Sequence, residues 1–181
     1  MKATGIVRRI DDLGRVVIPK EIRRTMRIRE GDPLEIYTDK DGGVIFRKYS
    51  LMGGLVDFAG QLCETLNRTT GHVTVITDRD SCIAVAGVPR RELAEKSISP
   101  QMERLMEGRQ VYQYKPGEET IPLCADSDKY SLSTAAPILS EGDVLGCVLF
   151  AGTRTDGLTG GEVEYKLAQS IAAFLGRHME S

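Results

Sequence analysis

The chain has 181 residues, 41% hydrophobic and 28% charged, with a net charge of −2, which is the composition of an ordinary globular protein with room for one large domain or two small ones. No apolar run nears the ~18–20 residues of a membrane span. The opening MKATGIVRRIDD lacks the apolar core of a signal peptide, so the expectation is a cytoplasmic protein with no membrane partner.

The charge is unevenly spread. Residues 1–50 hold 12 Lys and Arg against 8 Asp and Glu, a net +4, and the remainder carries −6. A basic amino-terminal piece on an acidic body suggests a nucleic-acid-binding module joined to something else.

Residues 4–11 (TGIVRRID) read as a strand, followed by a glycine-bearing turn at Asp12–Arg15 and a short apolar strand at 15–18. Pro19, with its fixed φ and no N–H, suits the first turn of a helix of about eight residues from Lys20. Ile22 and Met26, four apart, share one face of it, and Arg23, Arg24 and Arg27 point elsewhere. From Leu13 to Arg29 six cations meet a single acid, Glu21, so an anionic partner is expected. A turn at 29–32, an alternating strand at 33–37, a turn cluster at 39–43 and a strand at 44–48 complete the unit. Its candidate core is Ile6, Val7, Ile10, Val16, Val17, Ile18, Ile22, Met26, Ile28, Leu34, Ile36, Val44, Ile45 and Phe46. Fifty residues bury too little surface to be stable alone without a disulfide or a metal. A homodimer sharing one core is the expected remedy.

The run GIVRRIDDLGRVVIPKEIRRTMRIREGDPLEIYTDKDGGVIFRKY, with D-x-x-G-R-V-x-I-P-K-E-I-R unbroken, resembles the AbrB-type transition-state regulator domain of Gram-positive bacteria. That resemblance implies an all-β swapped-hairpin dimeric barrel with a short helix, bound to double-stranded DNA. The same motif occurs in antitoxin-type regulators. With its second half, the chain is similar to sporulation regulators of endospore formers, in which an AbrB-like domain precedes a GAF-like one. This implies control of late, forespore-specific genes by activation and repression, in a nucleoid-associated protein. The matching positions implied to meet DNA are Arg8, Arg15, Arg23 and Arg24. Lys2, Arg9 and Lys20, with Arg27 and Arg47, are phosphate contacts or plain surface.

The expected domains are residues 1–50, a short flexible joint at 51–54, and a carboxy-terminal domain at 55–181. That domain opens with a helix whose Leu55, Phe58, Ala59, Leu62 and Leu66 share one face, ending near Asn67–Gly71. A hairpin of strands 72–77 and 81–86 follows. A short polar helix is expected at 90–97, a second helix at 101–108 with Met102, Leu105 and Met106 inward, and a strand at 111–115. Residues 116–131 read mostly as loop. The strand 132–139, with Pro137 inside, belongs at an edge or bulge, and 144–151 (VLGCVLFA) is the most apolar and hence central strand. Thr159–Glu162 fits a capping box, and the helix behind it aligns Val163, Leu167, Ile171, Phe174 and Leu175. This order suits an α+β domain with an antiparallel sheet, as in a GAF-like domain.

Chemistry is sparse. Cys63, Cys82, Cys124 and Cys147 form no C-x-x-C pair and there are two histidines, so no zinc or redox motif is expected, only buried thiols. No P-loop, nucleophile elbow or dinucleotide fingerprint is present, so no catalytic residue is expected. Nothing names a cofactor. The carboxy-terminal domain is either a sensor for an unidentified small-molecule effector or an assembly domain using helices 55–68 and 160–178, building dimers into a tetramer. The alternative function is a sensor or antitoxin-like interaction module whose main partner is not DNA.

Overall fold

The computed structural model describes residues 4–153, 157–158 and 161–180, in two compact units, Met1–Tyr49 and Ser50–Ser181. Lys2 and the capping-box threonine, Thr159, lie outside the described residues.

In the first unit Pro19 caps α1 (Lys20–Thr25), shorter than expected because Met26 and Arg27 leave helical geometry, Arg27 with φ +51°. Strands β1 (Leu34–Thr38) and β2 (Val44–Lys48) pair antiparallel, with Ile36 opposite Phe46. The Asp39 carboxylate closes their loop by accepting the N–H groups of Asp41 and Gly43. The expected strands at 4–11 and 15–18 join no ladder among the described residues, and of the unit's described apolar residues only Pro19 is buried. Val7 is 89% exposed and Val17 69%. The reason is physical: a strand exists only against a partner backbone, and these segments find none among the described residues.

The second unit is an α+β fold. A single turn of 3₁₀ helix at Gly53–Leu55 leads into α2 (Val56–Thr70), which Gly71 ends in the left-handed conformation with its N–H on the Asn67 carbonyl. Met52, in the segment expected as a joint, is 1% exposed in the unit's core. The β-branched run of β3 (Val73–Asp78) returns through β4 (Cys82–Ala86). The Asp78 carboxylate fastens that turn by accepting the N–H groups of Asp80 and Ser81.

The expected helix at 90–97 contracts to α3 (Arg90–Leu93). Glu95 takes a positive φ so that residues 95 and 96 bond across to Cys82. In α4 (Pro100–Glu107) Ser99 is the N-cap, accepting from Met102 N–H and donating its hydroxyl to the Pro122 carbonyl. Met102 and Met106 point inward as expected.

Strands β5 (Tyr112–Gln113), β6 (Pro122–Cys124), β7 (Ser127–Ser140) and β8 (Asp143–Thr153) complete an antiparallel sheet of order β4-β3-β8-β7-β5, with β6 also on β7. Residues 122–124 and 127–131 are therefore strand, not loop. Their polar side chains read as loop because residues 127–129 face solvent while the backbone still pairs with β6. β8 is central, as its apolarity implies. Pro137 sits beyond the last β5 pair at Ala135, on a stretch of β7 whose outer side has no described strand partner, and a register shift follows at Ile138/Leu139.

Helix α5 (Glu162–His178) starts with Gly161 as N-cap. It lays Ala168, Ala172, Leu175 and Gly176 on the sheet, whereas Val163 and Phe174 of the expected stripe are exposed. Small residues face the sheet because the backbones come close: a Cβ on Gly176 would fall on the Leu139 carbonyl oxygen. The sheet thus separates two cores. Phe150, Ile76 and Val148 lie on the α2/α5 side, and Leu149, Val75 and Leu132 on the α4 side.

Candidate nucleic-acid interface

The candidate surface is built from two local devices. The first is the turn at 11–15. Gly14 adopts φ +75°, open to glycine without strain, and donates its N–H to the Asp11 carbonyl at 3.0 Å. Asp11 Oδ1 accepts the N–H of Leu13 at 3.0 Å and of Arg15 at 2.8 Å, an Asx turn. Its Oδ2 accepts from Arg15 Nε at 2.7 Å. The backbone N–H and then the guanidinium of Arg15 hold the Asp11 carboxyl below its ordinary value. Arg15 remains 69% exposed at the side chain.

The second device is α1, whose last turn carries Arg23 and Arg24 side by side and whose first residue is Lys20, all three exposed. The Ile28 N–H on the Arg23 carbonyl closes this short helix. Arg8 and Arg9 sit exposed on the unladdered arm. Among the described residues no ion pair engages the side chains of Arg8, Arg9, Arg23 or Arg24, so their charge is free for an anionic partner.

Two other cations of the unit, Arg47 and Lys48, are committed internally. Arg47 lies 4.9 Å above the Tyr37 ring. Lys48 Nζ is 3.3 Å from Asp32 and donates to the Arg27 carbonyl. Asp32 in turn accepts the Arg29 N–H at 2.8 Å. The sequence reading missed Asp11 as the anchor of Arg15, although Asp-x-x-Gly is the signature of such a turn.

In the second unit the sheet face beneath α4 is packed with Leu93, Ile98, Met102, Met106, Leu123 and Leu132. Beside it a cleft of about 320 Å³ is lined by Arg91, Glu92, Lys96, Cys124, Asp126 and Lys129 among others. Lys96 pairs with Asp126 at 2.6 Å, and Glu92 pairs with Lys129 and accepts the Tyr130 hydroxyl at 2.7 Å. His72 Nε2 lies 3.4 Å from Glu164, and His178 packs against Phe58 and Phe174. Neither histidine has a nucleophile to activate in these contacts. No group of metal-binding side chains occurs among the described residues, and no helix there is long and apolar enough to cross a membrane.

Residues 54–180 match the family described as Stage V sporulation protein T C-terminal, transcription factor. The chain belongs to the stage V sporulation protein T family. Stage V sporulation protein T of Bacillus subtilis (strain 168) is 48% identical over 181 residues, covering 99% of each chain. Residues 7–51 match the family described as Antidote-toxin recognition MazE, bacterial antitoxin. The transition state regulatory protein AbrB of the same organism is 63% identical over 49 residues, 27% of this chain and 50% of that one. A solution structure of the AbrB N-terminal DNA recognition domain is 63% identical, with 27% of this chain and 91% of that one covered and a TM-score of 0.24. A GAF domain/HD domain protein from Geobacter sulfurreducens is 18% identical over 69% of this chain and 91% of its own, with a TM-score of 0.49. The matched residues 7–51 thus include the turn and the short helix that expose the cations.

Proposed function

We propose that this protein is a DNA-binding transcriptional regulator of sporulation, acting on double-stranded DNA in the cytoplasm and at the nucleoid, with no catalytic step. The observation that carries this reading is the end-to-end match, 48% identity over 99% of the chain, to a stage V sporulation protein. The amino-terminal unit is the reader. Arg15, Arg23 and Arg24 with Arg8 supply phosphate and base-edge contacts, and Arg9, Lys20 and Lys2 add charge. Control of forespore-specific genes by activation and repression follows from the same kinship.

The reader works as a homodimer. Ile6, Val7, Ile10, Leu13, Val16 and Val17 are exposed beside strand segments with no ladder, which is what a chain looks like when its second half-core belongs to another copy. A swapped-hairpin barrel buries them and pairs the arms. The carboxy-terminal unit is a GAF-like regulatory domain that joins dimers into a tetramer through α2 and α5, whose Phe58, Phe174 and His178 cluster lies partly open.

Fluorescence anisotropy with a mixed-sequence duplex tests the reading. Affinity should fall about 10³-fold from 50 to 200 mM salt if about six phosphates are neutralised. Arg15→Ala and Arg23→Ala should each weaken binding by about tenfold or more with unchanged folding. Unaltered binding in both variants overturns the site. The MazE antitoxin match over residues 7–51 favours a second reading, a protein-interaction module, which a flat salt response and no DNA binding would select.

A further inference from the structure

Asp11 is an acid in the middle of a surface that the preceding reading assigns to DNA, where its charge alone opposes binding. Yet all of its polar atoms are committed to one task. Its carboxylate takes two backbone N–H groups and the Arg15 Nε, its own N–H donates to the Arg15 carbonyl, and its carbonyl accepts from Gly14. Three of these five bonds end on Arg15. With Nε engaged, the guanidinium keeps Nη1 and Nη2 for an end-on, two-pronged contact to a phosphate or to the O6 and N7 of guanine. An arginine held this way has lost its rotamer freedom before DNA arrives, so less is lost on binding.

We propose that Asp11 is a positioning residue for DNA readout, fixing the Arg15 guanidinium in its contact geometry; this rests on the assignment of Arg15 to the DNA surface. The two accounts of Asp11 predict opposite signs. A bystander charge predicts that its neutralisation tightens binding, because one repulsion toward phosphate is removed. A positioning role predicts that neutralisation weakens it.

The variant that separates them is Asp11→Asn. Asparagine keeps an oxygen for the Leu13 and Arg15 backbone N–H groups, so the turn survives, but its amide cannot accept from Nε. With full-length protein and a mixed-sequence duplex at fixed salt, D11N should bind about fivefold or more weakly than wild type, with an unchanged thermal melt. In an Arg15→Ala background the same change should have no further weakening effect, since Asp11 acts through Arg15. Arg15→Lys, which keeps the charge without the Nε bond or the fork, should resemble D11N, and this holds as a test even if D11N unfolds. Binding by D11N as tight as wild type or tighter overturns the proposal, and so does an equal loss in the Arg15→Ala background or wild-type affinity in Arg15→Lys. If Arg15→Ala itself binds like wild type, the assignment of Arg15 to DNA has failed instead.

Discussion

Cys63 and Cys147 are thiols that burial makes inert: Cys63 is pushed up to about 12, and Cys147 is raised by the same cause. Cys82 and Cys124 interact directly, which raises Cys82 and holds Cys124 below the ordinary 9.0. Cys124 also lines the open cleft beside Lys96. Iodoacetamide at pH 8 should therefore label Cys124 first, as peptide mapping would read out, and Cys124→Ser should remove the fast phase. Fast labelling of Cys63 or Cys147 would contradict the packing. At this scale the sequence was a good guide to residue type and a poor one to partnership. Four separated cysteines implied buried thiols, and all four are buried. That two of them touch depends on the bridges Ser81–Ser97 and Ile98–Cys124, contacts between segments that no spacing announces.

Among the elements, α3 is one turn long and depends on its ties. Glu92 binds Lys129 and Tyr130 on β7, and these bonds, Lys129 first, hold its carboxyl below the ordinary 4.5. A lowered carboxyl gives stability that is present above its unfolded value and lost as pH falls through the folded one. Wild type and Glu92→Gln should therefore differ in melting temperature at pH 7 and converge as the pH falls below the ordinary 4.5 and through the lowered folded value, in parallel thermal melts. A constant difference at every pH would remove Glu92 from this role. On α5, Gly176→Ala drives a methyl group into the Leu139 carbonyl, and the backbones must part, at a cost of about 1–3 kcal/mol in denaturant unfolding. The helix itself was legible from its apolar period. Its buried face was legible in part: Leu167, Ile171 and Leu175 of the expected stripe pack on the core, whereas Val163 and Phe174 are exposed and close backbone approach adds Ala168, Ala172 and Gly176. Likewise Ser127–Lys129 looked like loop because a strand at the sheet's rim needs no apolar side chains, only a backbone partner.

For the whole molecule, the arm at 4–19 shows the limit of reading one chain. Its apolar pairs Ile6–Val7 and Val16–Val17 were legible as strand, and the partner backbone that would complete them is not encoded beside them. If another copy completes it, the apparent melting temperature of the amino-terminal unit should rise with protein concentration. Differential scanning fluorimetry over a hundredfold dilution checks this, and an invariant midpoint would count against the shared core. On the other unit, Phe174→Glu places a charge in the Phe58–His178 cluster. Light scattering should show the particle mass halve, with DNA affinity per dimer kept; an unchanged mass would move the interface elsewhere.

The sheet of the second unit has a consequence of its own. Along β7, Ala135 belongs to one core and Ala136 to the other, and β8 alternates in the same way with Leu149 and Phe150. A single layer of backbone is therefore all that stands between the α4 side and the α2/α5 side, like the skin of a drum. Close-packed interiors yield little volume, so a push of one methyl group's width from beneath α4 has nowhere to dissipate within its own face. The backbone it presses on is the same layer that α5 rests on, where Gly176 meets the Leu139 carbonyl with no side chain between.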